Sequence, residues 1–373
     1  MALTNKLTAI ADAIRSKTGK TGTMTLDQMP TEIESISSGS GGWAIPEEAF
    51  VLKGETNQLF SGGSWDWFLE LCGSELNFDG SLDLYRTFSG IKLSEIPIKP
   101  FEVGRGVTNC QYTFAQSKNL IKAPKITGIV TQTSERMFYE CSSMIDASDV
   151  EFVATKNGYT TEIQSAQEMF SYCTCLEKLP DLTALSNTNL NWYSYSFTYR
   201  GFRSCSSLPE AVNVPPGIYY SATSNMYDSF LYNCYRLSRL SFADTGKTCD
   251  CKNQTLDMSG VGYAPSTSTS LPWSSSSIVP CPYTSDTLVN NDDTYARLKN
   301  DEHWWTNKVE FSRYNKVSAV ETINSLPDYS TGRSNTIKFK GAAGSSTDGG
   351  AINTMTAEEI AVATAKGWTV TFV

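Results

Sequence analysis

Four of the ten cysteines recur at one position of a repeated phrase, where a thiol could act as a nucleophile, a metal ligand or a disulfide partner. These are Cys141, Cys173, Cys205 and Cys234. A regularly repeated position of this kind favours buried, packed thiols over disulfides. Cys175 follows Cys173 after one residue, as Cys251 follows Cys249, whereas zinc knuckles need at least two intervening residues. The pattern therefore predicts a ladder of packed thiols and no metal site.

The single histidine, His303, would have to serve any Ser-His-Asp or Cys-His nucleophilic site. It stands beside Trp304 and Trp305, with no nucleophile motif nearby. A lone histidine among tryptophans is more typical of packing than of catalysis. One imidazole also excludes metal sites that are built on several histidines.

Paired carboxylates could serve a glycosidase, but adjacent acids on a surface loop are usually solvated. The acids of residues 286–293 lack the spacing and the glycine of a calcium-binding EF-hand loop. The glycine-rich residues 341–350 lack the Lys-Ser/Thr of a phosphate loop. The sequence thus predicts no catalytic residue, no metal and no cofactor. The paired carboxylates are Asp149 with Glu151 and Asp292 with Asp293.

Repeats of the phrase are the elements that must position the thiols. In each, a bulky apolar residue precedes the Cys or Ser by three places, and a Leu or Met follows three places later. The first residues of successive phrases are 24, 32, 32 and 29 positions apart. Units of this length each leave an apolar face that the next unit buries, so the spacing predicts a solenoid. The phrases begin at Phe114, Phe138, Phe170, Phe202 and Leu231, and residues 84–90 resemble a degenerate first repeat.

Two short amphipathic helices are predicted before the repeats, over residues 3–17 and 26–36. Isolated helices of this length are marginal in water, so their apolar stripes must pack on each other and on the repeats, or dock into a partner or self-associate. A Ser/Gly-rich linker at residues 37–42 favours docking or self-association. The stripes consist of Leu3, Leu7, Ile10, Ile14, Leu26, Met29, Ile33 and Ile36.

Caps are predicted at both ends of the repeats. Aromatic residues concentrated between Trp43 and Phe78 would cover the first unit, and residues 287–311 could supply a capping helix and strand. Near the C-terminus, residues 335–340 are typical of a strand. Residues 355–366 are typical of a helix begun by Thr356, and residues 368–373 alternate as a final strand.

Aromatic insertions between the repeats are the most promising contact residues. Such side chains stack on sugars and anchor protein interfaces, although alternating aromatics also suit a buried strand. The sequence leaves burial and contact open, and favours assembly contacts slightly over sugar binding. The candidate contact residues are Trp192, Tyr193, Tyr195, Tyr199, Tyr219 and Tyr220.

Composition excludes several classes of partner. The 39 acidic residues outnumber the 30 basic ones, giving a net charge of −9 without an arginine-rich run, so nucleic acid is not an expected partner. No apolar stretch is long enough to insert into a membrane, and no secretory signal opens the chain.

The Met-Phe-x-x-Cys-x-x-Leu phrase, with its following Leu-Pro, resembles the BspA-like leucine-rich repeat of bacterial surface proteins and phage proteins over residues 84–245. Residues 7–30 look like the N-terminal segment of tailed-phage virion proteins, and residues 355–368 are similar to the closing segment of phage repeat proteins. The resemblance implies an α/β fold: an irregular leucine-rich-repeat solenoid with an N-terminal helical segment and a small helix-strand C-terminal cap.

The resemblance also implies a domain order and a function. Residues 1–36 would attach or oligomerise, 37–42 would link, 43–325 would form the capped repeat domain, and 326–373 the C-terminal cap. We expect a non-enzymatic virion structural protein, assembled in the host cytoplasm, whose repeats contact the host surface or neighbouring subunits in a tail fibre or baseplate. Its expected partners are other virion proteins through the N-terminal segment, a host surface glycan or protein, and copies of itself, with a trimer favoured. The alternatives are a capsid-attached fibre or decoration protein, a bacterial surface adhesin and a glycan depolymerase.

Overall fold

The chain mixes helices with small sheets, none of which closes on itself in the part that the structure describes. The computed structural model describes residues 11–12, 14–15, 21–22, 51–53, 58–79, 83–103, 108–156, 158–161, 165–186, 197–216, 225–234, 236–246, 248–249, 251–261, 314, 316–329, 332–339 and 355–373.

The helices are α1 (Asp66–Cys72), α2 (Lys316–Ser325) and α3 (Ala357–Ala365), with short 3₁₀ turns at Ser61–Gly63, Gly73–Glu75 and Thr183–Ser186. The strands are β1 (Val51–Lys53), β2 (Asn77–Asp79), β3 (Phe101–Glu102), β4 (Thr108–Asn109), β5 (Ile126–Ile129), β6 (Thr131–Thr133), β7 (Val150–Phe152), β8 (Thr155–Lys156), β9 (Tyr159–Thr160), β10 (Glu210–Val214), β11 (Arg239–Phe242), β12 (Thr248–Cys249), β13 (Thr255–Asp257), β14 (Asp328–Tyr329), β15 (Asn335–Phe339) and β16 (Trp368–Phe372).

A column of phenylalanine rings runs through the core, one ring from each successive turn. Neighbouring rings are nearly parallel, with centroids 5.0 to 5.8 Å apart and interplanar angles of 5° to 18°. The first residues of four of the five predicted phrases therefore meet in space, and the column extends towards the N-terminus beyond them. In order, its rings belong to Phe60, Phe88, Phe114, Phe138, Phe170 and Phe202.

Each turn of the column is joined to the next by three backbone hydrogen bonds. The N–H groups of Tyr112, Phe114 and Gln116 donate to carbonyls of the following turn at 3.1, 2.8 and 2.7 Å. The residues two before and two after each ring have left-handed backbone, as at Arg136 (φ 51°) and Glu140 (φ 59°). Because every second N–H in this stretch finds a partner in the next turn, the turns stack as parallel rungs.

Every recurring thiol donates a hydrogen bond to the carbonyl of a core residue in the preceding turn. The Sγ–O distances are 2.9 Å for Cys141 and Cys173, 3.0 Å for Cys205 and 3.1 Å for Cys234. The hydroxyl of Ser117 makes the equivalent bond at 2.8 Å. All five side chains are fully buried. The predicted thiol ladder is therefore confirmed, and its members hold successive turns together.

Extended segments follow the turns and pair in parallel. Strand β5 lies between β3 and β7, and β10 pairs with β11. Within the described residues, the hairpin β8–β9 is the one antiparallel pair, and it falls at the insertion around residues 156–159 that makes one repeat longer than its neighbour. Strands thus follow the Leu or Met of four turns, whereas the 3₁₀ turn Thr183–Ser186 follows Leu176.

One irregular turn is repacked around a glycine. In two earlier turns the residue before the core ring is a buried methionine, Met137 or Met169. The corresponding residue of the next turn is Gly201, where an added Cβ would lie 2.2 Å from the Phe197 carbonyl oxygen and 3.2 Å from its ring. The buried Phe197 ring thus packs in the space next to this glycine, because no side chain is there.

The two ends of the column are covered by residues from outside the repeats. At the first end Phe68 of α1 stacks on Phe60, with centroids 6.5 Å apart. At the other end Tyr227 packs edge-on against Trp368 at 5.7 Å, and its hydroxyl lies 2.9 Å from that of Tyr329. The aromatic cap predicted at the first end is therefore present over the part that the structure describes.

Hydroxyl groups of helix α2 form hydrogen bonds with the backbone along β11. Ser318 and Thr322 donate to the carbonyls of Ser238 and Leu240 at 2.5 and 2.7 Å, and Ser325 accepts from the N–H of Phe242 at 3.0 Å. Both carboxylate oxygens of Glu321 accept from Arg239 Nε, at 2.7 and 2.9 Å. The C-terminal part of the chain thus packs directly on the last repeat.

Several predicted elements are confirmed, and others lie outside the residues that the structure describes. Strand β15, helix α3 with its Thr356 and Glu359 capping box, and strand β16 match their predictions. In the predicted first helix, the described residues 11–12 and 14–15 are helical, and Ile14 is fully buried. The predicted helix and strand at 287–311 lie outside the described residues, as do Leu3, Leu7, Ile10, Leu26, Met29, Ile33 and Ile36. The domain boundaries stay predictions.

Candidate functional site

Tyrosines, arginines and acids form a continuous row across the turns, which we call the tyrosine–arginine row. Five of its members occupy the same place in successive turns, two residues before the core ring, where the backbone is left-handed. These five are Arg86, Tyr112, Arg136, Glu168 and Arg200. Because the column fixes the turns one above another, side chains at this place are brought into contact. The other members are Tyr85, Tyr139, Tyr172, Tyr199, Arg203, Asp228 and Tyr232.

At the start of the row two guanidinium groups lie on either side of one tyrosine. The Arg86 guanidinium carbon is 4.9 Å from the Tyr112 ring centroid, and that of Arg136 is 5.7 Å from it. Arg136 also donates to the Tyr112 hydroxyl at 2.7 Å. Cation–π contact and hydrogen bonding therefore fix the orientation of this tyrosine.

In the middle of the row Glu168 lies between two arginines. Its Oε2 accepts from Arg136 Nε at 2.6 Å, and its Oε1 lies 3.6 Å from Arg200 Nη1. Arg200 in turn donates to Asp228 at 3.0 Å. The side chain of Glu168 is 8% exposed, so its negative charge is held by these arginines more than by water. The hydrogen bond that Arg136 donates to Glu168 is the main cause of the raised pKa of Arg136.

A second line of the row carries three more tyrosines. Tyr139 and Tyr172 meet edge-on with centroids 5.7 Å apart, and the Arg203 guanidinium lies 5.3 Å from the Tyr172 ring and 6.0 Å from that of Tyr232. Burial, with Glu140 nearby, raises the pKa of Tyr139 to about 12, so its phenol stays neutral at physiological pH. Tyr232 at the end of this line is 58% exposed. The row thus presents aromatic and hydrogen-bonding surface suited to binding.

Replacing Glu168 by Gln is expected to lower the free energy of unfolding by about 2 kcal/mol, because two guanidinium groups lose their shared buried carboxylate. Urea unfolding monitored by tryptophan fluorescence measures the change. The matched control is Glu102→Gln, which removes an ion pair to Lys156 from a side chain that is 67% exposed and should cost less than about 0.5 kcal/mol. Equal losses in the two variants would contradict the role given to Glu168.

A cavity of about 450 Å³ opens beside the end of the row. Its walls come from the last turn, residues 225–233, and from β13 with the turn that follows it. Asn225 joins the two walls, since its Oδ1 accepts from the N–H of Thr255 at 3.0 Å and its Nδ2 donates to the Thr255 carbonyl at the same distance. Asp228 and Tyr232 belong to both the row and the cavity.

The structure brings one predicted contact residue into the row. Tyr199 is half-buried, and the Arg200 guanidinium lies 4.8 Å from its ring. Residues 197–200 form a turn, with Phe197 buried, so the buried-strand alternative does not hold at this end of the insertion. The other predicted contact residues, Trp192, Tyr193, Tyr195, Tyr219 and Tyr220, lie outside the described residues.

Two of the four carboxylates considered for glycosidase chemistry lie in the described residues, and both have other partners. Asp149 is paired with Lys122 at 2.8 Å, and Glu151 accepts from the Gly128 N–H at 3.1 Å. His303, Asp292 and Asp293 lie outside the described residues. Within the ranges given above, no group of three or more His, Cys, Asp or Glu side chains is arranged to hold a metal ion.

Sequence reasoning missed most of the tyrosine–arginine row. Its signal was available in the residue that lies two places before each core Phe, where Arg86, Tyr112, Arg136, Glu168 and Arg200 align once the phrases are superimposed. The predicted contact residues lie instead in the aromatic insertions, where Trp and Tyr are more concentrated along the sequence. The repeat therefore encodes surface positions as regularly as it encodes core positions.

The described turns stack on one another and carry a row of regularly spaced tyrosine, arginine and acidic side chains. No protein-family model matches the chain, and neither do any curated proteins or solved structures. In the described part of the chain, no helix has the length and apolar character needed to cross a bilayer.

Proposed function

We propose that the protein is a structural component of a tailed-phage virion, whose irregular leucine-rich-repeat solenoid displays the tyrosine–arginine row for contact with the host surface or a neighbouring subunit. A tail fibre or baseplate is the preferred location. Residues 1–36 attach the chain to other virion proteins and assemble it as a homo-oligomer, with a trimer favoured. The activity is binding, not catalysis.

The row is the observation that carries the binding role. Six tyrosines and four arginines meet there across successive turns, and these residue types are enriched where proteins make high-affinity contacts. Interlocked cation–π contacts and ion pairs hold the side chains in place before a partner arrives, which lowers the entropy lost on binding. The recurring cysteines support a binding role over a catalytic one, since each of them is a buried packing group.

The virion role rests on the sequence resemblance of the repeats and of both ends of the chain to phage proteins. Residues 37–42 separate the attachment segment from the repeats in the sequence, whereas Ala11 and Ile14 belong to the same buried apolar cluster as the cores of the repeats. Ile14 is already covered within one chain, so attachment would use the apolar stripe residues other than Ile14.

Particles purified from the phage that encodes the chain are expected to contain it, and a chain lacking residues 1–36 is expected to be missing from them. Quantitative mass spectrometry of gradient-purified particles measures incorporation, and mass photometry compares the full chain with one that begins at Trp43. A row variant, Arg136→Ala, is the control that should still enter the particles. Wild-type particles without the protein would overturn the virion role. An unchanged number of chains per oligomer after truncation would overturn oligomerisation through residues 1–36.

A further inference from the structure

We propose that the cavity beside the last turn binds an uncharged saccharide, with Tyr232 as the stacking platform and Asp228 and Asp257 as acceptors for sugar hydroxyl groups. The inference rests on the binding role proposed above and names the ligand class for one part of that surface.

The tyrosine at the rim has the geometry of a sugar platform. The Tyr232 side chain is 58% exposed although it lines the cavity, so much of its ring is open to a ligand. The Arg203 guanidinium lies 6.0 Å from the ring centroid and helps to hold it. A sugar ring presents a face of C–H groups, which packs favourably on an aromatic face.

One carboxylate lines each of the two walls of the cavity, Asp228 in the last turn and Asp257 in β13. Asp257 uses its Oδ1 to bind the N–H and hydroxyl of Ser259, at 3.0 and 2.6 Å, and its Oδ2 makes no hydrogen bond within the described residues. Asp228 contributes one oxygen to Arg200 at 3.0 Å. Vicinal sugar hydroxyls donate well to fixed carboxylate oxygens, because hydrogen bonds to an ionised acceptor are about twice as strong as neutral ones.

Charge selects among the saccharides. Among the described residues, the cavity lining includes Asp228 and Asp257 and no Lys or Arg side chain. The two guanidinium groups that contact lining residues are already engaged, Arg200 by Asp228 and Arg203 by the Tyr172 and Tyr232 rings. A uronic acid, a sialic acid or a phosphosugar would bring a further negative charge next to these acids, with no unengaged cation in the described lining to pair with it. The volume of about 450 Å³ lies within the usual range for small-ligand sites and admits one or two sugar rings.

Calorimetric titration of the full chain tests the inference. The probes are maltotriose, cellotriose and triacetylchitotriose, with trigalacturonate as the acidic counterpart. At least one neutral trisaccharide is expected to bind with a dissociation constant in the micromolar to low millimolar range, and trigalacturonate at least about tenfold more weakly. Tyr232→Ala should weaken binding by about tenfold or more. Asp257→Asn, which keeps the Oδ1 bonds to Ser259, should weaken it severalfold.

The control is Tyr159→Ala, which removes another exposed tyrosine, on strand β9, and should leave saccharide binding unchanged. Failure of all three neutral probes, or unchanged affinity in Tyr232→Ala, overturns the saccharide site. If the protein is nonetheless found in particles, the virion role stands and only the ligand is wrong. Saccharide binding by a protein that particles lack would instead overturn the virion role and leave the site intact.

Discussion

The free energy of unfolding is expected to fall by about 5–7 kcal/mol between pH 8 and pH 10, through titration of the buried thiols. Burial raises the pKa of Cys110 to about 12 from an ordinary value of 9.0. Burial also raises the pKa values of the four recurring ladder cysteines well above the ordinary value. Above pH 9 the unfolded chain therefore releases protons that the folded chain keeps.

The sign follows from this difference in bound protons. When the folded state binds more protons than the unfolded state, stability decreases as pH rises, by about 1.4 kcal/mol per pH unit for each group. The contribution of the thiols to the free energy of unfolding is complete below about pH 8 and begins to be lost near pH 9. It is lost further until the thiols of the folded chain themselves titrate. Five such thiols make this effect larger than that of an ordinary surface group.

Urea unfolding at pH 7, 8, 9 and 10 measures the dependence, and a serine variant isolates the thiol. Cys173→Ser should fold, because Ser117 already donates the equivalent bond to the Phe88 carbonyl at 2.8 Å. Removing one titrating group should reduce the loss between pH 9 and pH 10 by about 1 kcal/mol. An equal pH slope in the wild type and in Cys173→Ser would show that the ladder thiols are not responsible.

Regular core positions could be predicted from the sequence because each repeat contains its own core residues at a short, regular spacing. The spacing of Phe, Cys and Leu identified the column and the thiol ladder. The turn around Phe60 was not predicted as a repeat, because Gly63 stands where the turns from Phe114 onward have Ser or Cys. Helix α2 was not predicted either, since its buried face includes Ser318 and Thr322 instead of an apolar stripe.

The candidate site depends on contacts that no single repeat contains. Arg136 meets Glu168 across 32 residues, and Arg239 meets Glu321 across 82. Each pair requires the register between two turns, or between a turn and α2, and that register is set by the whole column. Once the column is fixed, however, a residue at one surface place in a turn contacts its equivalents in the neighbouring turns. The core spacing thus determines the spacing of the tyrosine–arginine row.

Truncating one ring of the column is expected to destabilise the protein most among single core changes. Phe138 is fully buried between Phe114, at 5.2 Å, and Phe170, at 5.0 Å, so Phe138→Ala removes two stacked contacts and leaves a cavity. The expected loss is about 3–5 kcal/mol in the free energy of unfolding. Because repeats are stabilised mainly by their immediate neighbours, this variant should also separate the unfolding of the turns before residue 138 from that of the turns after it.

Denaturant titration followed by circular dichroism and by hydrogen exchange measures both effects. Phe138→Leu keeps most of the apolar volume and should lose about 1–2 kcal/mol with a single transition. Tyr159→Ala, an aromatic truncation at a 42% exposed side chain, should stay within about 0.5 kcal/mol of the wild type. If Phe138→Ala lost no more than Tyr159→Ala, stacking would not couple the turns. If Phe138→Ala lost 3–5 kcal/mol but all turns still underwent hydrogen exchange as one unit, the column would stabilise the turns without being what makes their unfolding cooperative.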